Sequence, residues 1–566
     1  MAMMACALAA CSASHASSGA ARAVTAGWTS AARTRMPSAP VAVLASSSPG
    51  TVTGQLAAMM FSIAPVVVVA DVGASATTAA GAARAARAPL LVAALGQAAS
   101  LAPAAQALHP SAVLAVGLPA AEQAALAAAL PGVKVVASPH QLPATAAPSP
   151  LSKVDVLVPA PAAPGTASPS ATPGATATPS ATPGTSGSDS DSGSDGTSGS
   201  ASPAATGTPA ATGSPSGGAT PSVSASDTAA MVTAGSAEDS AATATAEAAG
   251  ATVIDVPGGD PRSDPAVISA LARQRPGAVI GVGAEFGSVA ELTSRVAVAE
   301  TGTQLPGGGQ VLFPGRQLVA LYGHPDTPAL GVLGQQDLAA SITRVQGLVA
   351  QYKALSSGPV VPAFEIIASV AEGSPGPGGD YTYETPVSDL LPWVKQASAD
   401  GIYVVLDLQP GRANFLDQAK AYQSLLQLPD VGLGLDSEWK LQPDQKPLEQ
   451  IGHVDISEVN DVLSWLADLT AQYHLPQKLV VLHQFQLQML RDESDLDTSH
   501  DDLSILIHMD GQGTQGDKQG TWNAVLGAAP PGVFFGWKNF LVKDHPMLTP
   551  SQTMTVKPAP VMITYQ

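Results

Sequence analysis

The last 250 residues of the chain contain eight short apolar runs, most of them separated by a stretch of helical periodicity. The eight runs are Leu318–Tyr322, Val361–Ser369, Ile402–Leu408, Val431–Leu435, Lys478–Gln484, Leu503–His508, Gly532–Trp537 and Val561–Tyr565. Apolar runs of this length are typical of buried parallel strands, and most gaps between them are long enough for an amphipathic helix. Eight such units match the size of a closed barrel. We therefore predict a TIM (β/α)8 barrel over residues 317–566.

The chain before residue 301 also alternates strands and helices, but it is poor in aromatic residues. Of the 23 Trp, Tyr and Phe residues, 19 lie after residue 317, so the two parts are different kinds of domain. Parallel strands are predicted at Pro65–Ala70, Leu90–Ala93, Ser111–Gly117, Val133–Val136, Val154–Val158, Thr252–Val256 and Ala278–Gly283. With the helical segments between them, they predict a doubly wound, flavodoxin-like α/β region of two half-units over residues 51–300. Residues 301–316 would link this region to the barrel.

A long segment of small and polar residues interrupts the α/β region. Residues 160–226 consist mainly of Ser, Thr, Pro, Gly and Ala. A segment of this composition buries too little apolar surface to offset the entropy lost on ordering. We expect a disordered insertion in a surface loop of the α/β region.

Both cysteines of the chain lie near its first residue, so the domains that follow have no disulfide or cysteine-based metal site. The segment Leu8-Ala9-Ala10-Cys11 resembles the lipobox of bacterial lipoproteins. The resemblance implies a leader over residues 1–11, a lipid anchor in the membrane on Cys11 and a flexible tether over residues 12–50. It also implies export to the outer face of the cytoplasmic membrane or to the cell wall. The alternative is a chance Leu-Ala-Ala-Cys in an alanine-rich leader.

The α/β region also resembles a known family of surface domains. Val66–Asp71, Leu90–Leu95 and Val113–Gly117 follow the strand order of type-2 cell-wall-binding repeats of Gram-positive surface proteins. That resemblance implies that a cell-wall polysaccharide is a partner. The alternative is any other flavodoxin-like domain.

Two further classes of ligand are not expected. The formal net charge of −19 argues against electrostatic binding to nucleic acid. The spacing Gly281-x-Gly283-x-x-x-Gly287 differs by one residue from a dinucleotide fingerprint. We predict no nucleotide or other cofactor, and the sequence makes no prediction of oligomeric state.

Ionisable residues follow seven of the eight predicted barrel strands. In strand order the polar residues are His324, Glu365, Asp407, Asp436 with Glu438, His483 with Gln484, His508 with Asp510, Lys538 and Gln566. The carboxyl ends of the strands are where TIM barrels hold their active sites, so we expect these side chains to meet at one mouth of the barrel. The alternative is a solvated rim whose charges cap helices.

The segment Gly434-Leu435-Asp436-Ser437-Glu438 contains the most specific motif. Alternate residues of a strand share a face, which predicts that Asp436 and Glu438 project together. Asp-x-Glu at the end of the fourth strand resembles the motif of chitinase-type and lysozyme-type barrel glycosidases. The resemblance implies that Glu438 protonates the leaving oxygen and that Asp436 orients it or the substrate. The longer chitinase pattern has a carboxylate where this chain has Gly434.

Several other residues are candidates for substrate binding. Trp439, Trp537 and Tyr322 are candidate stacking platforms for sugar rings, although such aromatics are often ordinary core residues. The polar candidates for substrate contact are Glu365, Asp407, His483, Gln484, His508 and Asp510. Several of these are also metal-ligand types, but the chain has no HExxH or similarly close spacing, so the sequence predicts no metal.

These residues predict a surface-anchored envelope protein whose glycosidase-like barrel acts on an envelope or extracellular glycan. The rival prediction is a glycan-binding or scaffold lipoprotein with a degenerate barrel. It is favoured by the seventh strand, Gly532–Trp537, because retaining barrels of this type have a carboxylate there and this chain has none. A serine hydrolase is not expected, because no Gly-x-Ser-x-Gly motif occurs.

Overall fold

The computed structural model of the protein describes residues 31–74, 76–143, 147–160 and 236–566. The predicted leader with Cys11, and the predicted insertion from residue 161 onward, lie outside these residues. The chain divides into two compact units. The first, the α/β unit, comprises the described residues of 1–159 together with 237–255 and 275–289. The second, the barrel unit, comprises residues 256–274 and 290–566 together with Ala160 and Ser236.

The α/β unit is built from eight main strands and five helices. The strands are β1 (Val41–Leu44), β2 (Val66–Asp71), β3 (Leu90–Ala93), β4 (Ala112–Ala115), β5 (Lys134–Val136), β6 (Val154–Ala160), β7 (Thr252–Pro257) and β8 (Ala278–Val282). The helices are α1 (Pro49–Met60), α2 (Ala76–Ala86), α3 (Ala102–Gln106), α4 (Ala120–Ala129) and α5 (Ala237–Ala249). A short antiparallel pair, Arg33–Thr34 with Phe61–Ile63, adds to the unit. All six residues of β2 are buried, as expected for a strand covered on both faces.

The main strands form two four-stranded sheets with the same strand order. In the first sheet the order is β3-β2-β4-β5, and all neighbouring strands are parallel. In the second it is β7-β6-β8-β1, so the N-terminal strand β1 occupies the place that β5 has in the first sheet. These parallel sheets confirm the predicted α/β fold of the N-terminal part. Strand β1 lies within residues 12–50, which were predicted to be a tether, because its four apolar residues pair with β8 in parallel register.

The barrel unit contains eight parallel strands. They are β9 (Gln317–Gly323), β10 (Val360–Ala371), β11 (Tyr403–Leu408), β12 (Val431–Leu435), β13 (Lys478–Gln484), β14 (Leu503–Met509), β15 (Phe534–Asn539) and β16 (Met562–Tyr565). Each strand pairs in parallel with the next, and β16 pairs with β9 to close the barrel. The predicted TIM barrel is therefore confirmed.

Helices lie between most of the barrel strands. They are α8 (Leu338–Lys353), α9 (Val387–Ala399), α10 (Phe415–Ala421), α11 (Gln423–Leu426), α12 (Ile456–Gln472), α13 (Gln515–Ala528) and α14 (Pro550–Thr553), preceded by α6 (Pro265–Gln274) and α7 (Val289–Glu300). Side chains cap α8, α10, α13 and α14, since Asp337, Asn414, Thr514 and Thr549 accept hydrogen bonds from amides in the first turns of these helices. The segments that follow the barrel strands include two short strand pairs, Thr382–Glu384 with the end of β10 and Val454–Asp455 with Leu490–Arg491.

The interior of the barrel has an apolar lower part and a polar upper part. At the amino ends of the strands, alternate side chains point inward and pack against apolar residues of the segment that precedes β9. From that segment come Leu305, Leu312 and Phe313, and from the strands Leu318, Ala320, Val361, Ala363, Tyr403, Val405, Leu479, Val481, Leu506 and Met562. Two residues further along each strand, the same alternation places a polar side chain inside the barrel, at the carboxyl ends. This polar layer contains the candidate site.

Candidate active site

The polar layer forms what we call the mouth cluster, nine side chains that come from all eight strands or the residues directly after them. Its members are Tyr322, Glu365, Asp407, Asp436, His483, His508, Asp510, Lys538 and Thr564. All nine side chains are buried. A layer with a purely structural role would contain Val, Ile and Leu, because burying charged groups is costly.

His483 lies at the centre of the mouth cluster and contacts three carboxylates. Its Nδ1 is 3.0 Å from Asp510 Oδ2, and its Nε2 is 3.0 Å from Glu365 Oε1 and 3.4 Å from Asp407 Oδ1. Burial by itself lowers the pKa of His483, but the charges of Asp407 and Asp436 outweigh it and raise the pKa well above its usual value. In the absence of another cation, the imidazole is therefore protonated at neutral pH.

A chain of hydrogen bonds connects the second histidine to Glu365. Thr564 Oγ1 donates to Glu365 Oε2 at 3.0 Å and lies 2.9 Å from His508 Nε2. Since the hydroxyl proton is directed at Glu365, Nε2–H of His508 is the donor to Thr564. Burial lowers the pKa of His508 to about 3, so its ring is neutral. Burial raises the pKa of Glu365, but the hydrogen bond and charge of His483 outweigh this effect and lower the pKa to about 2.

Tyr322 is a hydrogen-bond donor in the cluster and not an open stacking platform. Its hydroxyl donates to Asp407 Oδ2 at 2.8 Å. Lys538 Nζ lies 3.7 Å from the centre of the Tyr322 ring and 3.9 Å from Asp510 Oδ2. The ring face predicted to stack on a sugar is thus covered by an ammonium group.

The Asp-x-Glu motif lies just beyond its strand. Strand β12 ends at Leu435, and Ser437–Trp439 form a 3₁₀ turn that is held by a 2.9 Å hydrogen bond from Ser437 Oγ to the carbonyl oxygen of His483. The strand argument that placed Asp436 and Glu438 on one face was therefore wrong. Asp436 is only 2% exposed, whereas Glu438 and Trp439 are half-buried.

The two carboxyl groups of this motif have raised pKa values. Burial is the main cause for Asp436, whose pKa is well above its usual value. Burial, followed by the charge of Asp510, raises the pKa of Glu438 to about 7. These directions apply to the cluster with no metal ion bound.

The missing carboxylate of the longer chitinase pattern has a structural explanation. A Cβ atom at Gly434 would lie 3.0 Å from Asp407 Oδ1. The side chain of the neighbouring strand β11 thus fills the place of a side chain at position 434. The interior layer keeps a carboxylate there, but it comes from a different strand.

Of the predicted binding residues outside the mouth cluster, Trp537 and Gln484 point to the other side of their strands. The indole Nε1 of Trp537 donates to Asn539 Oδ1 at 2.9 Å, and its ring packs against Trp522 of α13 at a centroid distance of 5.6 Å. Gln484 Nε2 donates to Glu493 Oε2 at 2.8 Å. Trp537 and Gln484 were therefore wrong as mouth residues, since their neighbours Lys538 and His483 face inward.

Sequence reasoning missed the role of two cluster residues and of a buried ion pair behind them. Lys538 was noted at its strand end but not as a site residue, and Thr564 was not singled out. Lys518 of α13 pairs with Asp544 at 2.9 Å and donates to the carbonyl oxygens of Gly511 and Lys538 at 2.8 and 2.7 Å. It thereby ties together the ends of β14 and β15. The alternation of inward-pointing residues along β15 and β16 could have identified Lys538 and Thr564. No feature of the sequence around Lys518 indicates its role.

The arrangement offers the groups for acid–base chemistry and for binding a cation. Carboxylates, one neutral histidine and a lysine lie side by side, and the half-buried Glu438 lies close enough to Asp510 and Lys538 to be affected by their charges. One potential ligand atom each of Asp436, His483 and Asp510 lies within 4.8 Å of the other two.

Neither a scan against protein-family models nor a search of curated proteins finds a match to this chain. Among the described residues, the helices are too short or too polar to cross a membrane.

Proposed function

We propose that the barrel is a hydrolase that acts on an envelope or extracellular glycan, with the mouth cluster as its active centre. The main support is the position of the cluster, since a complete polar layer lies at the carboxyl ends of the strands, where TIM-barrel enzymes hold their active sites. A protein retains buried charges against their energetic cost mainly where they serve a function.

In this proposal Glu438 protonates the oxygen of the leaving sugar. It is the half-buried carboxyl group of the Asp-x-Glu motif, and a proton donor has to reach the substrate. Asp436, which is buried beside it, would orient Glu438. Trp439 is half-buried at the same turn, so its indole is available to contact a sugar ring.

A second function, glycan binding without hydrolysis, is favoured by one observation. Strand β15 contributes Lys538 to the mouth cluster and no carboxylate, so the partner acid that retaining barrels of this type have on that strand is absent. In a binding module the same cluster would fix the shape of the mouth.

Substitution of Glu438 by Gln separates the two functions. The side chain keeps its shape but cannot deliver a proton, so for a hydrolase kcat should fall ~10²–10⁴-fold while glycan binding persists. The full-length protein and the variant would be assayed for sugar release and for pull-down with peptidoglycan, chitin oligomers and α- and β-glucans. Glu449→Gln, the same change at an exposed position, is the matched control.

Three outcomes are informative. Sugar release by the wild type that falls in Glu438→Gln and not in Glu449→Gln supports hydrolysis with Glu438 as the acid. Sugar release that stays within tenfold in Glu438→Gln excludes Glu438 from that role. Pull-down without sugar release by either protein indicates the binding module, and Trp439→Ala should then weaken retention.

We further propose that the protein is exported and anchored by a lipid on Cys11, with the α/β unit contacting cell-wall polysaccharide. The support is the lipobox-like Leu8–Cys11 and the pair of sheets with the same strand order. Incorporation of labelled fatty acid into the wild type but not into Cys11→Ser would support anchoring. Equal labelling of both proteins would contradict it.

A further inference from the structure

The mouth cluster contains a set of ligand atoms suited to a cation. Asp436, His483 and Asp510 each offer one atom within 4.8 Å of the other two, and the three side chains come from the ends of three neighbouring strands. A single ion can contact all three after a small inward movement of the side chains, because two ligand atoms on one ion are at most about 4.4 Å apart when metal–oxygen and metal–nitrogen bonds are about 2.0–2.2 Å long. All three side chains are buried, with Asp436 2% exposed.

Two of these carboxylates have an oxygen with no partner. Oδ1 of Asp436 and Oδ1 of Asp510 are buried and accept no hydrogen bond from any described residue. A buried carboxylate oxygen without a donor is costly unless a cation is bound to it. The free oxygens therefore point to a ligand between these strands.

The surroundings of His483 match those of a metal-binding histidine. Its Nδ1 faces Asp510, while its Nε2 lies 3.0 Å from Glu365 Oε1 and 3.4 Å from Asp407 Oδ1. Metal-binding histidines commonly direct their second nitrogen at a carboxylate, which fixes the ring and makes the first nitrogen a better ligand. In this protein Glu365 and Asp407 are the carboxylates behind His483.

The ligand types of the cluster indicate which class of cation it would bind. Carboxylate oxygens combined with an imidazole nitrogen favour Zn²⁺ or Mn²⁺ over Mg²⁺ or Ca²⁺, which prefer oxygen ligands alone.

We propose that Asp436, His483 and Asp510 bind one divalent transition-metal ion, Zn²⁺ or Mn²⁺, at the mouth of the barrel. Glu365 and Asp407 hold His483 in place from behind. This goes beyond the proposed glycan hydrolysis and is independent of it, because the ion can serve either a hydrolase or a binding module. When bound, the ion provides a Lewis acid next to Glu438.

The test is calorimetric titration of the full-length protein, freed of metal with EDTA, with ZnCl₂ and MnCl₂ in turn and with MgCl₂ and CaCl₂ in parallel. The expected result is one site per chain for Zn²⁺ or Mn²⁺. Asp436→Asn and Asp510→Asn should weaken that site at least tenfold, since each removes a ligand. Asp468→Asn makes the same chemical change at an exposed position of α12 and should leave the affinity unchanged.

A variant of the second layer keeps the proposal testable if a ligand variant does not fold. Glu365→Gln should weaken binding ~10–100-fold, the usual effect of losing a carboxylate behind a metal-binding histidine. Circular dichroism verifies folding of each variant before titration. Absence of saturable binding in the wild type overturns the proposal, as does equal affinity in the wild type, Asp436→Asn and Glu365→Gln. Tighter binding of Mg²⁺ or Ca²⁺ than of either transition metal overturns the class of ion.

Discussion

Gly434 shows how a single residue of the barrel interior depends on the strand beside it. The chitinase-like pattern places a carboxylate at this position, and the protein instead has Asp407 of β11 directed into the same space, 3.0 Å from where a Cβ would be. A local motif cannot reveal such an exchange, because the two residues are 27 positions apart in the chain. The two residues are neighbours in the barrel although they are far apart in the sequence.

The first prediction concerns this exchange. Gly434→Asp should destabilise the protein by about 1–3 kcal/mol, because the new side chain collides with Asp407 and brings a second carboxylate against it. Urea unfolding measures the loss, and the double variant Gly434→Asp/Asp407→Gly should recover part of it. Gly347→Ala, on α8 with open space around its Cβ, is the control and should be neutral or stabilising. No recovery in the double variant would mean that Asp407 is not the obstacle.

A second prediction at the residue scale concerns Lys478, at the amino end of β13. Its side chain is fully buried, and burial lowers the pKa of its ammonium to about 7. Between about pH 7 and pH 10.5 the unfolded state binds the proton and the folded state does not, so the free energy of unfolding rises with pH across this window. The slope approaches about 1.4 kcal/mol per pH unit for one group and disappears below pH 7.

Urea unfolding at several pH values tests this dependence. In Lys478→Met the slope contributed by this group should vanish, whereas Lys353→Met, at an exposed position of α8, should keep it. A flat profile in the wild type between pH 7 and 10 would show that Lys478 remains charged in the fold. Its two hydrogen bonds to the carbonyl oxygens of Leu428 and Val431 would then be those of an ammonium ion.

At the scale of elements, β14 and β15 are tied together from behind by α13. Lys518 of α13 is fully buried, pairs with Asp544 and donates to the carbonyl oxygens of Gly511 and Lys538. Asp544 Oδ2 in turn accepts the amide hydrogen of Phe540. One ammonium group thus fixes the backbone that presents Asp510 and Lys538 to the mouth cluster.

For this element we predict that removing Lys518 alone costs more stability than removing both members of the ion pair. Lys518→Met alone should cost about 3–5 kcal/mol, because it leaves the Asp544 carboxylate buried without a positive charge beside it. The double variant Lys518→Met/Asp544→Leu should recover much of that loss, since both charges are then absent. Urea unfolding of the wild type, Lys518→Met, Asp544→Leu and the double variant gives the interaction energy. Additive losses in the double variant would show that the two groups are not coupled in the fold.

The barrel strands also show what sequence can and cannot predict. All eight were predicted within a few residues, because apolar runs of strand length are distinctive even without alternation. It was harder to predict which side chains point into the barrel. A strand that is buried on both faces has no polar face to show which alternate residues point inward. Trp537 was assigned to the mouth while its neighbour Lys538 faces inward, and Asp436 and Glu438 were placed on a strand that ends at Leu435.

At the scale of the whole molecule, the barrel unit begins before its first strand. The boundary predicted at residue 317 coincides with β9, but Leu305, Leu312 and Phe313 of the preceding segment belong to the apolar lower part of the barrel. The ring of Phe313 lies 5.2 Å from that of Phe534 on β15. The segment predicted as a linker over residues 301–316 therefore closes the amino end of the barrel.

A pair of fragments tests this role of the segment. The fragment 290–566 keeps the three apolar residues, whereas 317–566 removes them and exposes the lower interior of the barrel to water. Each buried Leu or Phe side chain contributes ~1.5–3 kcal/mol, and 1 kcal/mol shifts Tm by roughly 2–4 °C for a domain of this size, so the shorter fragment should melt at least ~5 °C lower or aggregate. Within 290–566, Leu312→Ala should produce part of the same loss, and Leu355→Ala, at an exposed position after α8, should not. Equal melting temperatures for the two fragments would show that residues 290–316 are only a connection.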